Sequence, residues 1–290
     1  MGLDSEQWRR LHEQAVAIRR DIVDITHRSG GAHIGSGLSV VDILVLLYFK
    51  YLNIDSARPD WEDRDRFVLS KGHAAVAFVT VLARRGFFPF EELDSFNKFG
   101  SAFGMHPDSR RITGCDVSTG SLGHGLPMAV GMALGARTQG RTFRTFCVLG
   151  DGECNEGVVW EALMSAAHYS LTNLVIVIDR NRLMIDGPTE EVMGLEPLEE
   201  KLLAFGFDVQ SVNGHDLDEL SDSFDYAERV QRDKPVVIVA NTIKGKGVDF
   251  MEGHVAWHYG SIDDELRGKA LASIERLSEE RRRSQEVLHG

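Results

Sequence analysis

The sequence predicts an α/β fold, a doubly wound and mainly parallel sheet with helices on both of its faces. Five short apolar runs divide the 290-residue chain, and uninterrupted apolar runs are typical of strands that helices cover on both sides. Stretches with helical spacing separate the runs and supply the crossovers that parallel strands require. Polar or glycine residues follow four of the runs directly, at the sheet edge where ligands bind in such folds.

The predicted elements begin with a helix over about residues 5–28, because apolar residues recur there at helical spacing behind a capping box of Asp4 and Gln7. The predicted strands are 66–70, 146–150, 173–179, 207–212 and 235–241. The predicted helices that connect them are 72–85, 124–138, 156–170, 197–205 and 216–232.

A glycine-rich loop is predicted between the first two helices, since residues 29–37 contain four glycines. Ser39 with Asp42 then predicts the cap of a second helix that ends near Tyr51.

The domain organisation predicted from these elements is one domain over residues 1–262, followed by a charged C-terminal helix or tail over 263–290. Ser261 and Asp264 form a second capping-box pattern where the charged stretch begins. No internal repeat or low-complexity linker interrupts the chain.

Composition excludes several classes of function. The chain has 44 acidic and 32 basic residues, a net charge of −12, so its overall field repels phosphate backbones and anionic lipid. No apolar run approaches the roughly 20 residues of a membrane helix, and the N-terminus has no signal core. The three cysteines have no Cys-x-x-Cys spacing, which suggests neither a disulfide framework nor a zinc site. We expect a cytoplasmic protein without nucleic-acid or membrane partners.

A metal and phosphate site is indicated where two predicted strands end. Gly150-Asp151-Gly152 follows one strand and precedes a helix, so Asp151 projects an oxygen there while free amides face any anion above it. Asn181 follows the next strand and would lie beside Asp151 if the strands are neighbours. With a carbonyl near Leu183, these oxygens are typical of Mg²⁺. Asp-Gly and Asn also occur as plain turn residues, so the hypothesis depends on their position and spacing.

The same residues resemble the signature of thiamine-diphosphate enzymes, in which Gly-Asp-Gly is followed by Asn; here residues 153–180, 28 in all, lie between them. Further segments are similar to transketolase, in the same order, over residues 10–260. These segments are HRSGGAHIGSG (27–37), DRFVLSKGHA (65–74), MHPD (105–108), STGSLGHGLPMAVGMA (118–133), GDGECNEG (150–157), NRLMIDG (181–187) and KGKGVDFMEGHVAWHYG (244–260).

The resemblance implies a thiamine-diphosphate-binding fold of the diphosphate-binding type, with thiamine diphosphate and Mg²⁺ or Ca²⁺ as cofactors. The metal ligands it implies are Asp151, Asn181 and the carbonyl of Leu183. The cofactor-binding residues it implies are His73, Gly120, Leu122, Gly123, Gly150, Asp151, Gly152, Glu153, Asn181, Ile185 and His258. The catalytic residues it implies are His33, His106, Glu156 and His258.

Roles within these sets follow from the same resemblance. Gly152 would pack on the diphosphate, and His73 and His258 would face its phosphates. His33 and His106 would face the reactive thiazolium carbon and the hydroxyls of the donor sugar, where histidines can move protons near neutral pH.

Other matched positions would lie around the thiazolium ring or between subunits. Gly120, Leu122 and Gly123 would line the thiazolium side, and Ile185 would pack near the ring. Glu156 matches a glutamate at the subunit interface that is linked to communication between two active sites.

Two positions depart from full-length transketolases: Lys71 stands where these usually have Asn, and His124 where they have Gln. Both are typical of shorter, split-type relatives. The Lys244-Gly-Lys246-Gly segment fits either a phosphate loop without Walker A spacing or a mobile cover loop. The histidines expected to be ordinary surface or core residues are His12, His27, His168, His215, His254 and His289.

No segment is similar to the second transketolase domain, which binds the aminopyrimidine and supplies a glutamate to its ring. The chain thus resembles the diphosphate-binding half of a two-component transketolase, which moves a two-carbon ketol unit from a ketose or its phosphate to an aldose or its phosphate. We expect it to need a separate pyrimidine-binding (C-terminal) subunit, in an α₂β₂-type assembly. The sugars themselves stay open.

Alternative functions are a subunit of another thiamine-diphosphate enzyme, either deoxyxylulose-phosphate synthase-like or a 2-oxoacid dehydrogenase, and a non-catalytic cofactor-binding module. The GSLGHG and KGKGVDF segments favour transketolase over the other enzymes. The presence of Asp151, Asn181, His73 and His258 together argues against a decayed module.

Overall fold

The computed structural model describes residues 2–229 and 233–289, so the last three residues of the predicted helix 216–232 lie outside it. Its described residues contain an entirely parallel five-stranded sheet with the order β1-β2-β3-β5-β4. The strands are β1 (Arg66–Leu69), β2 (Thr145–Gly150), β3 (Leu174–Arg180), β4 (Asp208–Asn213) and β5 (Val236–Asn241). Each strand overlaps its predicted apolar run, which confirms the predicted strands.

Helices occupy the connections between the strands, as predicted. The α-helices are α1 (Ser5–Ser29), α2 (Ile34–Ser39), α3 (Val41–Leu46), α4 (Ala75–Arg84), α5 (Gly125–Thr138), α6 (Gly157–His168), α7 (Thr189–Val192), α8 (Leu198–Phe205), α9 (Leu217–Arg229) and α10 (Asp264–His289). A π-helical turn, Leu47–Tyr51, continues α3. No helix in the described ranges is long and apolar enough to cross a lipid bilayer.

Both faces of the sheet are buried, which confirms the doubly wound α/β class. Side chains alternate between the two faces along a strand, so Phe146 and Val148 of β2 pack on one side and Cys147 and Leu149 on the other. The first side is covered by α1, α3, α4, α9 and α10, and the second by α5, α6 and α8. This arrangement leaves the two edges and the strand ends as places where a ligand can reach the backbone.

Of the two caps predicted at the starts of the long helices α1 and α10, the structure confirms the first and not the second. The predicted box at the start of α1 is present, because Asp4 accepts from the Gln7 N–H at 2.7 Å and Gln7 accepts from the Asp4 N–H at 3.3 Å. The cap predicted at Ser261 is wrong. Asp263 caps α10 instead, accepting from the Leu266 N–H at 2.8 Å, since it is the residue directly before the helix.

The cap predicted at Ser39 is also wrong, because α2 begins at Ile34, inside the predicted loop 29–37. Ser39 is the last residue of α2, and its hydroxyl donates to the Asp179 carboxylate at 2.7 Å and lies 3.1 Å from the Ser36 carbonyl. A buried carboxylate needs such donors, so Ser39 satisfies a charge on β3 rather than a helix end.

The C-terminal helix α10 lies along α1 and buries Ala270 and Ile274 in the same core as the sheet. Arg267 donates to Asp24 of α1 at 2.7 Å. The predicted charged helix is therefore present, while the domain boundary at residue 262 stays a prediction.

A long irregular segment, residues 85–124, connects α4 with α5 and returns to the carboxyl edge of the sheet. Thr119 fixes it there by donating to the Leu69 carbonyl at 2.7 Å. The Gly123 N–H donates to Glu153, after β2, at 2.8 Å. These bonds bring His106 to the ends of the strands.

Candidate functional site

A cavity of about 280 Å³ opens at the carboxyl edge of the sheet, where the segments after β1, β2, β3 and β5 meet the start of α2. The predicted site residues that line it are His33, His73, His106, Gly120, Leu122, Gly150, Asp151, Gly152, Glu153, Asn181, Leu183, Ile185 and His258. Its position agrees with the expectation from the polar strand ends.

The three predicted metal ligands belong to adjacent strand ends. β2 pairs with β3, with Gly150 opposite Asp179, which brings Asp151 and Asn181 side by side. Within the described residues, no group of three His, Cys, Asp or Glu side chains could hold a metal ion. A metal here would depend on one carboxylate, one amide, the Leu183 carbonyl and phosphate oxygens, which are the hard oxygen donors that Mg²⁺ and Ca²⁺ take.

Asp151 is held by donors on both of its carboxylate oxygens. Oδ1 accepts from the Gly152 N–H at 2.8 Å, and Oδ2 accepts from the Arg182 N–H at 2.5 Å and from the Arg180 guanidinium at 3.2 Å. Arg180 is buried and also pairs with Glu196. Burial raises the pKa of Asp151, while the Arg182 hydrogen bond opposes that rise. The carboxylate is thus oriented by the protein alone.

Lys71 forms a buried part of the cavity wall. Its ammonium pairs with Asp179 and lies 3.3 Å from the Ser36 carbonyl. Asp179 also accepts from Ser39 and from Thr242. Burial alone would raise the pKa of Asp179, but the Lys71 ammonium beside it holds that pKa below its usual range. Lys71 is therefore a paired cation, fixed in position by a buried carboxylate that is itself held by two hydroxyl groups.

Lys244 is a second buried cation in the wall of the cavity. Its Nζ donates to the Leu183 carbonyl at 2.8 Å and lies 3.0 Å from Nδ1 of His258. Burial and the nearby Lys71 ammonium lower the pKa of Lys244 to about 8. Because these partners are neutral, the Lys244 charge can interact strongly with an anion in the cavity.

The four histidines of the cavity form a cluster in which the other three rings lie around His33. Its ring centroid lies 5.5 Å from that of His73, 6.1 Å from that of His106 and 5.4 Å from that of His258. Burial lowers the pKa of His33 to about 4 and that of His258 to about 3, and it also lowers those of His73 and His106. All four rings are therefore neutral near pH 7, and Nδ1 of His33 is buried without a hydrogen-bond partner.

Glu153 shapes the cavity wall through protein contacts. Its Oε1 accepts from the Ser70 hydroxyl at 2.5 Å and from the Gly123 N–H at 2.8 Å, and its Oε2 accepts from the Gly150 N–H at 3.0 Å. Burial raises the pKa of Glu153. This carboxyl joins the 85–124 segment to the end of β2, and a direct contact with a cofactor stays a prediction.

Gly120 allows the backbone of the 85–124 segment to lie close to the ring of His106. Its φ is +151°, and a Cβ atom there would lie 3.1 Å from Cγ of His106. A side chain at this position would be strained and would push His106 away.

Two predicted residues lie outside the cavity lining. Gly123 supports the wall through its N–H bond to Glu153, and Glu156 is exposed where α6 begins. Glu156 thus makes no contact with the cavity within this chain, and its place at a subunit interface stays a prediction. His124 is exposed at the start of α5 and does not line the cavity either.

Four of the lining residues were not predicted as site residues from the sequence: Ser36, Lys71, Met184 and Lys244. The positions of the two lysines could have indicated the site, because Lys71 and Lys244 each follow a predicted strand at the carboxyl edge of the sheet, in LSK and in NTIK. Nothing in the sequence showed that their charges would be buried.

Known proteins match this chain in sequence over most of its length. Residues 11–270 match the family described as transketolase, thiamine diphosphate binding domain. The chain is 43% identical over 272 residues to a 6-deoxy-6-sulfo-D-fructose transketolase subunit from Clostridium sp., with 94% of this chain and 98% of that protein covered. It is 39% identical over 267 residues to an apulose-4-phosphate transketolase subunit from Phocaeicola vulgatus, with 91% and 93% covered.

Solved structures give the same result for the fold. Transketolase from Campylobacter jejuni matches with a TM-score of 0.85 and 28% identity, over 92% of this chain and 43% of that one. Transketolase from Leishmania mexicana matches with a TM-score of 0.82 and 29% identity, over 96% and 46%. The chain spans less than half of these longer enzymes, and it belongs to the transketolase family, of which it carries the thiamine diphosphate-binding domain.

Proposed function

We propose that this chain is the diphosphate-binding subunit of a two-component transketolase, which transfers a two-carbon ketol unit from a ketose or its phosphate to an aldose or its phosphate. The observation that carries the proposal is the cavity, which joins two buried lysines and a set of oxygen donors to four neutral histidines. The relatives matched nearly end to end are themselves named as transketolase subunits.

The residues present fit thiamine diphosphate with a divalent metal. A diphosphate together with Asp151 carries more negative charge than one divalent ion neutralises. Lys244, whose partners are neutral, would compensate part of the remainder, and Lys71, which is already paired with Asp179, would contribute less. Asp151, Asn181 and the Leu183 carbonyl would hold Mg²⁺ or Ca²⁺. When bound, thiamine diphosphate supplies the nucleophilic thiazolium carbon on which the two-carbon unit is carried.

The histidines would bind substrate and move protons. Because all four are neutral near pH 7, each can donate from one ring nitrogen and accept at the other. Nδ1 of His33 is buried and unpartnered, so it is available to a substrate hydroxyl or a proton in transit. His106 lies beside His33 and would act on the same part of the sugar.

The partner we propose is a separate pyrimidine-binding subunit, in an α₂β₂-type assembly. Glu156 is exposed at the start of α6 and would lie at the contact between subunits. The three cysteines are free and buried, which suits a reducing compartment, and we propose that the enzyme works in the cytoplasm.

Reconstitution tests the proposal. The tagged chain is captured from its own cells with thiamine diphosphate and Mg²⁺ present, the stoichiometric partner is identified, and both are then expressed and purified. We expect ketol transfer between sugar phosphates by the pair and none by either chain alone. Transfer by the single chain would overturn the need for a partner. Decarboxylation of pyruvate by the pair, without ketol transfer, would indicate another thiamine-diphosphate enzyme.

A further inference from the structure

A cluster of charged residues surrounds the buried Asp42, outside the lining of the cavity. Asp42 of α3 is completely buried, and Arg19 of α1 binds its two oxygens at 3.2 and 2.5 Å. His215, after β4, contacts Oδ2 through Nδ1 at 2.9 Å, and Arg281 of α10 lies 3.4 Å from Oδ1. We call these four residues the Asp42 cluster, and none of them lines the cavity.

The proton position on His215 is fixed by its two partners. The backbone N–H of Ile243 donates to Nε2 at 2.8 Å, so the ring proton is on Nδ1, where it is donated to Asp42. Arg281 also donates to the His215 carbonyl. The histidine therefore connects the carboxylate and α10 to the backbone just before Lys244.

Arg19 makes the matching contact on the other side of Lys244. Its Nε donates to the Lys246 carbonyl at 3.1 Å. A Cβ atom on Gly247 would lie 2.8 Å from Cδ of Arg19, so glycine is what lets the arginine approach this backbone. The segment is thus held at Ile243 and at Lys246, on both sides of Lys244, by two side chains bound to one carboxylate.

We propose that the Asp42 cluster positions Lys244 toward the anionic end of the cofactor and that α10, through Arg281, is part of this device. Its members are positioning residues, since they touch the Lys244 segment and not the cavity. The inference rests on the proposed function, in which Lys244 faces the diphosphate.

A double-mutant cycle tests the inference in the reconstituted two-subunit enzyme with saturating Mg²⁺. The variants are His215→Leu, Lys244→Met and the two together, and the measurements are the thiamine diphosphate Kd and kcat at saturating cofactor. We expect His215→Leu to weaken cofactor binding about tenfold in the wild-type background and to have almost no further effect when Lys244 is Met. We expect kcat at saturation to change less than the Kd.

Equal losses of affinity in both backgrounds would overturn the inference, because the cluster would then act on the fold and not through Lys244. An unchanged Kd for Lys244→Met would overturn it as well, by removing Lys244 from cofactor binding. Absence of cofactor binding by the unmodified complex would instead contradict the proposed function, so the two failures are distinguishable.

Arg281→Gln provides a second route if His215→Leu does not fold, because the Arg281 side chain is partly exposed. We expect a smaller loss of affinity with the same dependence on Lys244, and partial restoration by Arg281→Lys. Arg282→Gln is the matched control, since Arg282 is exposed beside it on α10 and should leave the Kd unchanged. A loss of affinity in Arg282→Gln equal to that in Arg281→Gln would contradict the inference.

Discussion

The two parts of the cavity differ in how many of their polar groups already have hydrogen-bond or ion-pair partners within the protein. The charged part consists of Lys71, Asp151 and Lys244 in the cavity wall, with Asp179 paired to Lys71, and both oxygens of each carboxylate already accept protein donors. In the histidine cluster (His33, His73, His106 and His258), the rings pack against one another and Nδ1 of His33 has no partner. Buried charges are stable only when opposite charges or hydrogen-bonding groups satisfy them, whereas neutral rings tolerate burial. The charged part is therefore fixed before binding, and we expect substrate to complete the hydrogen bonding of the histidine cluster.

The largest expected effect is that of removing Asp151, the carboxylate that would hold the metal. Asp151→Ala should abolish metal-dependent thiamine diphosphate binding by the two-subunit complex and leave the fold intact. Isothermal titration with and without Mg²⁺ measures the binding, and circular dichroism checks the fold. Asp60→Ala is the control, because Asp60 is exposed in the loop before β1. Undiminished binding by Asp151→Ala would remove Asp151 from the metal site.

The second prediction concerns how far the stability of the charged part depends on the ion pair between Lys71 and Asp179. Lys71→Met leaves Asp179 buried without its cation, which should lower the free energy of unfolding by about 3–5 kcal/mol. Lys71→Met combined with Asp179→Leu should recover much of that stability but not the cofactor affinity. Urea denaturation and cofactor titration separate the two readouts. Full recovery of affinity in the double variant would show that the Lys71 charge plays no part in binding.

The third effect concerns the histidine cluster and should appear in rate rather than in cofactor affinity. His33→Ala removes a group that would contact the reacting sugar, so kcat should fall about 10²-fold while the thiamine diphosphate Kd changes only a few-fold. Steady-state kinetics of ketol transfer give kcat, and cofactor titration gives the Kd. His254→Ala serves as control, since His254 is exposed and outside the cavity. A large change in Kd with kcat preserved would place His33 with the charged part.

The smallest effect is a pH dependence of stability. Burial lowers the pKa of His33 to about 4 and that of His258 to about 3, below the value of about 6.5 in an unfolded chain. These two histidines therefore do not reduce the free energy of unfolding above about pH 6.5. Below that pH the free energy of unfolding falls as the pH drops toward 4, because the unfolded chain takes up protons first. Urea denaturation across this range should show a shallower slope for His33→Gln. An identical slope would contradict the lowered pKa.

Much of the fold could be predicted because its signals are local. All five strands are apolar runs that overlap the observed strands, and the Gly150–Asn181 spacing located the cavity. The wrong cap at Ser39 has a non-local cause, since its hydroxyl bonds to Asp179, 140 residues away in the chain. No helix-capping rule contains that information.

The site residues that the sequence did not predict were missed for the same reason, because their roles depend on non-local contacts. Lysine is a residue type that usually lies at the surface, and only the packed structure shows that Lys71 and Lys244 are buried beside the cavity. His215 was expected to be an ordinary histidine, but its ring joins Asp42 to the Ile243 backbone across a distance that no sequence window covers. Burial and long-range pairing, not residue type, decide these roles.

The most direct test of the account is a crystal structure of the two-subunit complex with thiamine diphosphate and Mg²⁺. We expect the metal about 2.0–2.1 Å from oxygens of Asp151, Asn181 and the Leu183 carbonyl, with the diphosphate against Lys71 and Lys244. His33 should then face the substrate side of the thiazolium ring. A metal bound elsewhere, or a diphosphate that lies among the histidines, would contradict the division of the cavity into a charged part and a histidine cluster.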